Sequence, residues 1–361
     1  MATSTSPRRP RPGSDAGDLP EVFGRLPRWA GYALFAGSAV AVGVLLRIIG
    51  FSLVGFVVLT LLVYSVVQYT VSRRVEGRRR AADRLVTIVV SSAFGLAMLP
   101  LVSLVWTVLD NGLPRLDLTL FTESMRGVIG PGGGILHALI GTLLITVSAA
   151  LISIPIGLLS AVYLVEYGDG RLAQAITFLV DVMTGIPSIV AGLFAYALFV
   201  LFFGPGLRLG AAGAVALSVL MIPVVVRACE EMLRLVPNEL REASLALGVP
   251  KWRTVVKIVI PTAVAGIATG ITLALARVIG ETAPLLIVAG FTSSTNWDLF
   301  NGRMMTLPVF AYSSYTQPGF PPEAGQQRAW AAALVLIILV MGLNLIARLI
   351  SRLFAPKTRS R

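Results

Sequence analysis

Apolar residues in this chain fall in long blocks rather than short alternations, and the polar residues collect between the blocks. A helix needs about 20 apolar residues to cross a bilayer, and about eight runs of that kind can be placed: 29–46, 51–71, 85–109, 135–165, 173–203, 211–229, 262–290 and 329–350. The pattern predicts an all-α polytopic membrane protein, because a backbone inside lipid has to satisfy its own hydrogen bonds. The first two spans form a short hairpin closed by RRVEGRRR, so residues 29–84 read as a hairpin with a basic loop. From Leu85 the spacing changes to about six spans separated by longer loops, and residues 85–354 read as a transport core.

Several of the runs contain a proline, among them those with Pro155, Pro187, Pro223 and Pro284. Each removes a backbone donor and can break its helix, which a membrane tolerates only where protein or a water-filled cavity takes up the freed groups. Gly266 and Gly270 form a GxxxG pair, and with Gly192 and Ala195 they allow helices to approach closely. Between spans, the GPGGG of 130–134 lacks a following Lys-Ser or Lys-Thr and reads as a flexible connection rather than a phosphate-cradling loop.

Composition agrees with the pattern. Of 361 residues 56% are hydrophobic and only 13% charged, with a mean hydropathy of +0.83, whereas soluble domains carry about 25% charged residues. A net charge of +12 raises the question of nucleic acid. The placement of the basic residues answers it: 23 of the 30 Lys and Arg lie in 1–28, 73–84, 166–172, 227–257 and 348–361, against 6 in the alternate segments. That asymmetry follows the positive-inside rule, so both termini are expected in the cytoplasm and the number of crossings is even. Nucleic acid is not an expected partner; the lipid bilayer is.

One cysteine, Cys229, and one histidine, His137, leave no basis for a disulfide framework or a metal centre. No G-x-x-x-x-G-K-[ST] occurs, so no ATP site and no cofactor are expected in this chain, and ATP-driven work would have to come from a partner. Residues 1–28 read as a disordered cytoplasmic tail, and 355–361 as a short basic one.

The most polar interruption is REASLALGVPKWRTVVKIVIP, Arg241–Pro261. Pro237 suits a helix start, Glu239 and Glu242 favour its positive end, and Gly248 suits a left-handed stop. Leu240, Ala243 and Leu247 share one face of a helix over 238–247, with Glu239 and Arg241 pointing elsewhere. Lipid headgroups are a poor match for Asn238, Glu239 and Glu242, which favours a protein surface.

Glu242, Ala243, Ser244, then Gly248, then Ile258, Ile260 and Pro261 resemble the cytoplasmic loop of permease subunits of ATP-binding-cassette importers, with Ser for the second Ala and Ile for Leu. In that family the helix docks into a cleft of the ATPase, which implies that small residues at 243 and 244 admit the partner surface while Gly248 sets the angle to the next helix. The stretches 141–167, 181–199, ARVIGETAPLLIVAG (276–290), LPVFAYSSY and QQRAWAAALVLI narrow the resemblance, over 110–354, to the A-type permeases of phosphate-specific importers. Arg-x-Ile-Gly-Glu-Thr-Ala-Pro is similar to the A-type pattern, whereas C-type partners usually continue Met-Ala after Glu-Thr. The resemblance implies a type I importer transmembrane fold with a six-span core. It also implies a C-type permease, a homodimeric ATPase holding Mg-ATP and an extracytoplasmic phosphate-binding protein as partners. The N-terminal hairpin departs from that plan.

Arg277 and Glu281 are i and i+4 in an apolar run, where an unpartnered charge costs at least about 2.5 kcal/mol. Arg277 can offer a planar fork to two phosphate oxygens. Glu281 either holds that fork or accepts a protonated phosphate oxygen, or the two form a buried ion pair that only fixes helix register. Thr184 and Ser188 flank the Gly-Ile-Pro interruption, where a restarted half-helix would aim free N–H groups at an anion. Asp181 reads as structural or as a gate contact, Arg227 as a topology charge, and His137 as a headgroup or packing residue. Permeases for sulfate or molybdate, and a secondary transporter without an ATPase, remain open alternatives.

Overall fold

The computed structural model describes Gly24, Leu26, Pro27 and residues 29–354. The tail expected at 1–28, apart from those three residues, and the tail at 355–361 lie outside the described residues. Every regular element among them is helical. In chain order these are α1 (Ala30–Ile49), α2 (Leu53–Val75), α3 (Arg78–Gly112), α4 (Leu118–Thr122), α5 (Leu136–Val162), α6 (Arg171–Thr184) and α7 (Ser188–Phe203). There follow α8 (Gly210–Arg234), α9 (Asn238–Ala246), α10 (Lys251–Thr254), α11 (Ile260–Val278), α12 (Ala283–Val288), α13 (Leu307–Thr316) and α14 (Pro322–Phe354). A π-helical turn, Tyr163–Tyr167, extends α5, and another, Val255–Val259, joins α10 to α11. Among the described residues, 7 continuous helices are long and apolar enough to span a membrane, and 8 if α6 and α7 count as one bent span.

The chain divides into two compact units, one ending at Leu104 and one beginning at Val105. The division falls inside α3, beyond the boundary expected at residue 84. In the first unit α1 and α2 pair as the expected hairpin, with Phe35 set edge-on to Tyr64 at 5.4 Å. Its basic loop is fastened by Glu76, whose carboxylate accepts from the Leu26 N–H at 2.9 Å, the Ser72 hydroxyl at 2.8 Å and Arg84 at 2.7 Å. Burial pushes the Glu76 carboxyl up, but those three donors outweigh it and hold the group below its ordinary value.

In the second unit α8 is the central strut. It packs along α5, α11 and α7, and Met221, Val225 and Cys229 on it are fully buried. Helices in lipid gain association energy from close packing rather than from burial away from water, so small residues decide the contacts. A Cβ on Gly157 would lie 2.6 Å from Val225 Cγ1, and one on Gly270 would lie 2.6 Å from Ala228 Cβ. The GxxxG pair therefore seats α11 on α8, as its spacing suggested. Gly192 seats α7 on α12 in the same way, with a Cβ there 2.7 Å from Pro284 Cα.

The prolines divide into two kinds. Pro155 and Pro223 stay inside α5 and α8, which run through them unbroken. Pro187 instead ends one helix and starts another, so the run expected at 173–203 becomes α6 and α7, bent by 111°. The run expected at 262–290 ends at Val278, and Pro284 sits in the first turn of α12, where a missing N–H costs nothing. The stretch 291–328 contains a further helix, α13, anchored where the Leu307 N–H donates to Thr142 Oγ1 at 2.7 Å. The glycine-rich 130–134 connection is tied rather than free, because Arg328 donates to the Gly130 and Gly132 carbonyls at 2.9 Å and Arg115 to the Gly133 carbonyl at 2.8 Å.

Candidate functional site

At the end of α6 the Gly185 and Ile186 N–H groups fold back on Val182 and Met183 (3.1 and 3.3 Å), and Pro187 is extended with ψ of 137°. The chain then restarts at Ser188 with no side-chain cap on α7. The first N–H groups of a helix have no intrahelical acceptor, so this end of α7 presents donors at the break. A cavity of about 200 Å³ opens there, lined by Thr184 and Ser188 from the break, Leu220, Pro223 and Val224 from α8, Arg277 near the end of α11 and Glu281 just beyond it. All four residues singled out for a substrate path thus meet at one cavity.

The geometry corrects part of the reading that chose them. Arg277 and Glu281 do not share one helical face: α11 stops at Val278, and the Glu281 N–H closes a turn onto the Val278 carbonyl at 3.1 Å. No ion pair joins the two among the described residues. The Arg277 side chain is exposed in this chain and Glu281 is half-buried. Thr184 and Ser188 are also unlike one another. The Thr184 hydroxyl already donates to the Val180 carbonyl at 2.8 Å, so it has only lone pairs left to offer, whereas the Ser188 hydroxyl has no hydrogen-bond partner among the described residues. The α8 side of the cavity was not anticipated; the proline in that span was its only sequence signal.

One helical turn beyond the cavity, Asp181 and Arg227 form an ion pair between α6 and α8. Arg227 also donates to Glu230 at 2.8 Å, and Glu230 accepts from Arg234 at 2.6 Å. Asp181 is therefore paired, and Arg227 does more than set topology. Glu230, which the sequence did not mark, is the shared carboxylate of this group. Asp181, Glu230 and Arg234 also border a larger polar groove of about 590 Å³ with Asp169, Gln174 and Thr177. His137 lies elsewhere, buried edge-on against Phe310 at 5.3 Å, so it is a packing residue and not a headgroup contact.

The polar segment after α8 folds as expected, with two exceptions. α9 covers 238–246, and Gly248 takes φ of +74°. The Gly248 N–H bonds the Leu245 carbonyl at 2.9 Å and the Val249 N–H bonds the Ser244 carbonyl at 3.2 Å, which closes the helix and leaves α10 to begin after Pro250. Leu240, Glu242, Ala243 and Leu247 face outward, with Leu247 84% exposed. Ser244 is the first: it is 4% exposed, and its hydroxyl lies 2.8 Å from the Thr254 hydroxyl, bracing α9 against α10. It cannot admit a partner surface, because the residue after Ala243 has turned about 100° around the helix axis. Arg241, expected to point away from the apolar face, points inward and bonds Glu166 at 2.9 Å.

The family described as binding-protein-dependent transport system inner membrane component matches residues 153–360. The chain is 48% identical over 292 residues to phosphate transport system permease protein PstA 1 of Mycobacterium tuberculosis, covering 80% of this chain and 94% of that protein. It is 44% identical over 248 residues to phosphate transport system permease protein PstA of Pasteurella multocida, covering 68% of this chain and 86% of the relative. Among solved structures, a chain of a bacterial alginate ABC transporter, crystallised in complex with an alginate pentasaccharide-bound periplasmic protein, superposes with a TM-score of 0.54. At 13% identity, over 76% of this chain and 96% of that one, the likeness is one of fold.

Proposed function

The chain belongs to the PstA phosphate transport permeases, within the binding-protein-dependent transport system inner membrane components, and from that premise we propose that it is the membrane subunit through which an ATP-driven importer moves inorganic phosphate. The observation that carries the site is the meeting of Arg277, Glu281, Ser188 and Thr184 at one cavity beside a helix break. An unpaired guanidinium offers two parallel donors to a phosphate, and the free N–H groups at the start of α7 add the positive end of a helix dipole. Glu281 accepts from a protonated phosphate oxygen, which sulfate lacks at neutral pH.

ATP enters the cycle through other chains. A homodimeric ATPase holds Mg-ATP and receives the outward face of α9, at Leu240, Glu242, Ala243 and Leu247, with Gly248 as the joint to α10. A C-type permease completes the pathway, and an extracytoplasmic phosphate-binding protein delivers the ion. Both termini lie in the cytoplasm of a multi-pass cell-membrane protein, which the distribution of Lys and Arg supports. Closure of the ATPase shifts the permease between outward-open and inward-open states.

The test is phosphate uptake by Arg277→Ala at unchanged membrane abundance. A loss of about ten- to a hundredfold is expected for removing charge-assisted bonds to the ion. Normal uptake would remove the cavity from the pathway, and undiminished phosphate uptake under excess sulfate or molybdate separates phosphate from the other oxyanions.

A further inference from the structure

Arg241 is the most heavily engaged side chain of α9. Its guanidinium donates to Glu166 at 2.9 Å, to the Leu233 and Val236 carbonyls at 2.9 and 2.6 Å, and to Asn238 Oδ1 at 3.1 Å. The two carbonyls belong to the last turn of α8 and the residues after it, where carbonyls lose their i+4 donor and a cation is favoured by the helix dipole; the Leu233 carbonyl also accepts from the Val236 N–H at 3.3 Å. Glu166, with a side chain 6% exposed, sits in the π-helical turn that extends α5. One residue of α9 therefore joins three elements.

α9 follows α8 directly through residues 235–237 and is braced on α10 by Ser244 and Thr254, and two further routes lead from it into the bundle. The covalent route runs through Gly248, whose backbone is left-handed and where an added Cβ would meet no atom within 4 Å, so it is an open joint. The other runs through Arg241 into α5 and α8, which are locked together where Gly157 meets Val225. α8 carries Leu220, Pro223 and Val224 on the wall of the cavity. A swing of α9 against α10 costs only a rotation at the glycine and the single Ser244–Thr254 hydrogen bond, whereas a multiply bonded guanidinium facing a buried carboxylate resists it, since separating that pair strands a charge.

We propose that Arg241 and Glu166 are the positioning pair that makes α9 move with α5 and α8, and so carry the motion of the ATPase to the cavity. This rests on the reading of α9 as the ATPase-docking helix. The pair touches neither phosphate nor ATPase: it lies on the inward side of α9, behind the face that docks.

The experiment uses the full transporter, this chain with its partner permease and ATPase, reconstituted in liposomes with the phosphate-binding protein. Three quantities are read: ATPase retained on purification, ATP hydrolysed, and phosphate moved per ATP. Arg241→Gln and Glu166→Gln are expected to retain the ATPase and its hydrolysis while phosphate moved per ATP falls about tenfold, within the usual range of coupling between sites. The double variant should be no worse than either single one, because both remove the same interaction. Arg241→Lys, which keeps the charge opposite Glu166, should recover part of the loss. Unchanged phosphate per ATP, or loss of the ATPase in step with loss of transport, would overturn the proposal. Glu242→Lys, on the outward face, separates the two readings: if it leaves ATPase retention and uptake unchanged, the docking role of α9 is wrong, whatever Arg241 does.

Discussion

The cavity at the α6–α7 break and the joint behind α9 handle charge in opposite ways. At the cavity, Arg277 and Glu281 share a wall with no ion pair between them, and the start of α7 has no side-chain cap. Behind α9, Arg241 is bound to Glu166, and along α8 from there towards the cavity Arg234 is bound to Glu230 and Arg227 to both Glu230 and Asp181. An unpaired cation near an apolar wall is costly until an anion arrives, which suits a place where a ligand is held and released. A paired and hydrogen-bonded cation is costly to separate, which suits a place where parts must stay together. Similar residue types therefore suit binding in one region and connection in the other, and the pairing distinguishes them.

That contrast can be broken by experiment. After the loss expected for Arg277→Ala, the largest effect comes from Arg277→Lys, which keeps a cation but loses the planar fork: uptake should fall about tenfold, with a raised half-saturating phosphate concentration. Uptake at the level of the unsubstituted protein would mean that only the charge matters there. A smaller effect divides the two hydroxyls of the break. Ser188→Ala should lower uptake about three- to tenfold, for loss of one hydrogen bond to a charged group, and Thr184→Val should stay within about twofold because its hydroxyl is already engaged by α6. Equal losses in both would contradict that division.

The smallest effect concerns Glu76, a paired carboxylate in the first unit. Its folded pKa lies below the ordinary value, so its stabilisation is present above the usual glutamate pKa of about 4.3 and is lost as pH falls through the lower folded value. Thermal unfolding of the purified protein should show a drop across that acidic interval that Glu76→Gln lacks. An identical pH profile in the two proteins would show that the loop does not depend on this carboxylate.

Spans were legible because apolar blocks of bilayer length have few other uses, and the cavity residues were legible because charges and breaks are rare inside such blocks. Proline identity did not reveal its consequence. Pro155 and Pro223 are absorbed within packed helices while Pro187, next to Gly185, turns the chain, and the neighbours decide between these outcomes. The motif around Glu242 marked the segment proposed to dock but not the direction of each side chain. Ser244 resembles Ala243 in size and differs by one helical step, which turns it onto Thr254. Arg241 was expected to point away from the apolar face, the default for a charged residue on an amphipathic helix. Its acceptors lie 75 residues away at Glu166 and at backbone carbonyls, which have no sequence signature. α13 was hidden for a related reason: ten residues are too few to register as a span.

The sharp bend between α6 and α7 has a kinematic consequence. Three of the elements around the cavity meet it by their ends, α6 at Thr184, α7 at Ser188 and α11 at Val278, and only α8 meets it along its side. Ends can be drawn apart by a small rotation about a distant pivot, and such a rotation leaves the lengthwise seams of the helices in register. An enclosure built this way can open and reassemble many times while the bundle keeps its shape, as the petals of a shutter part without any petal changing form.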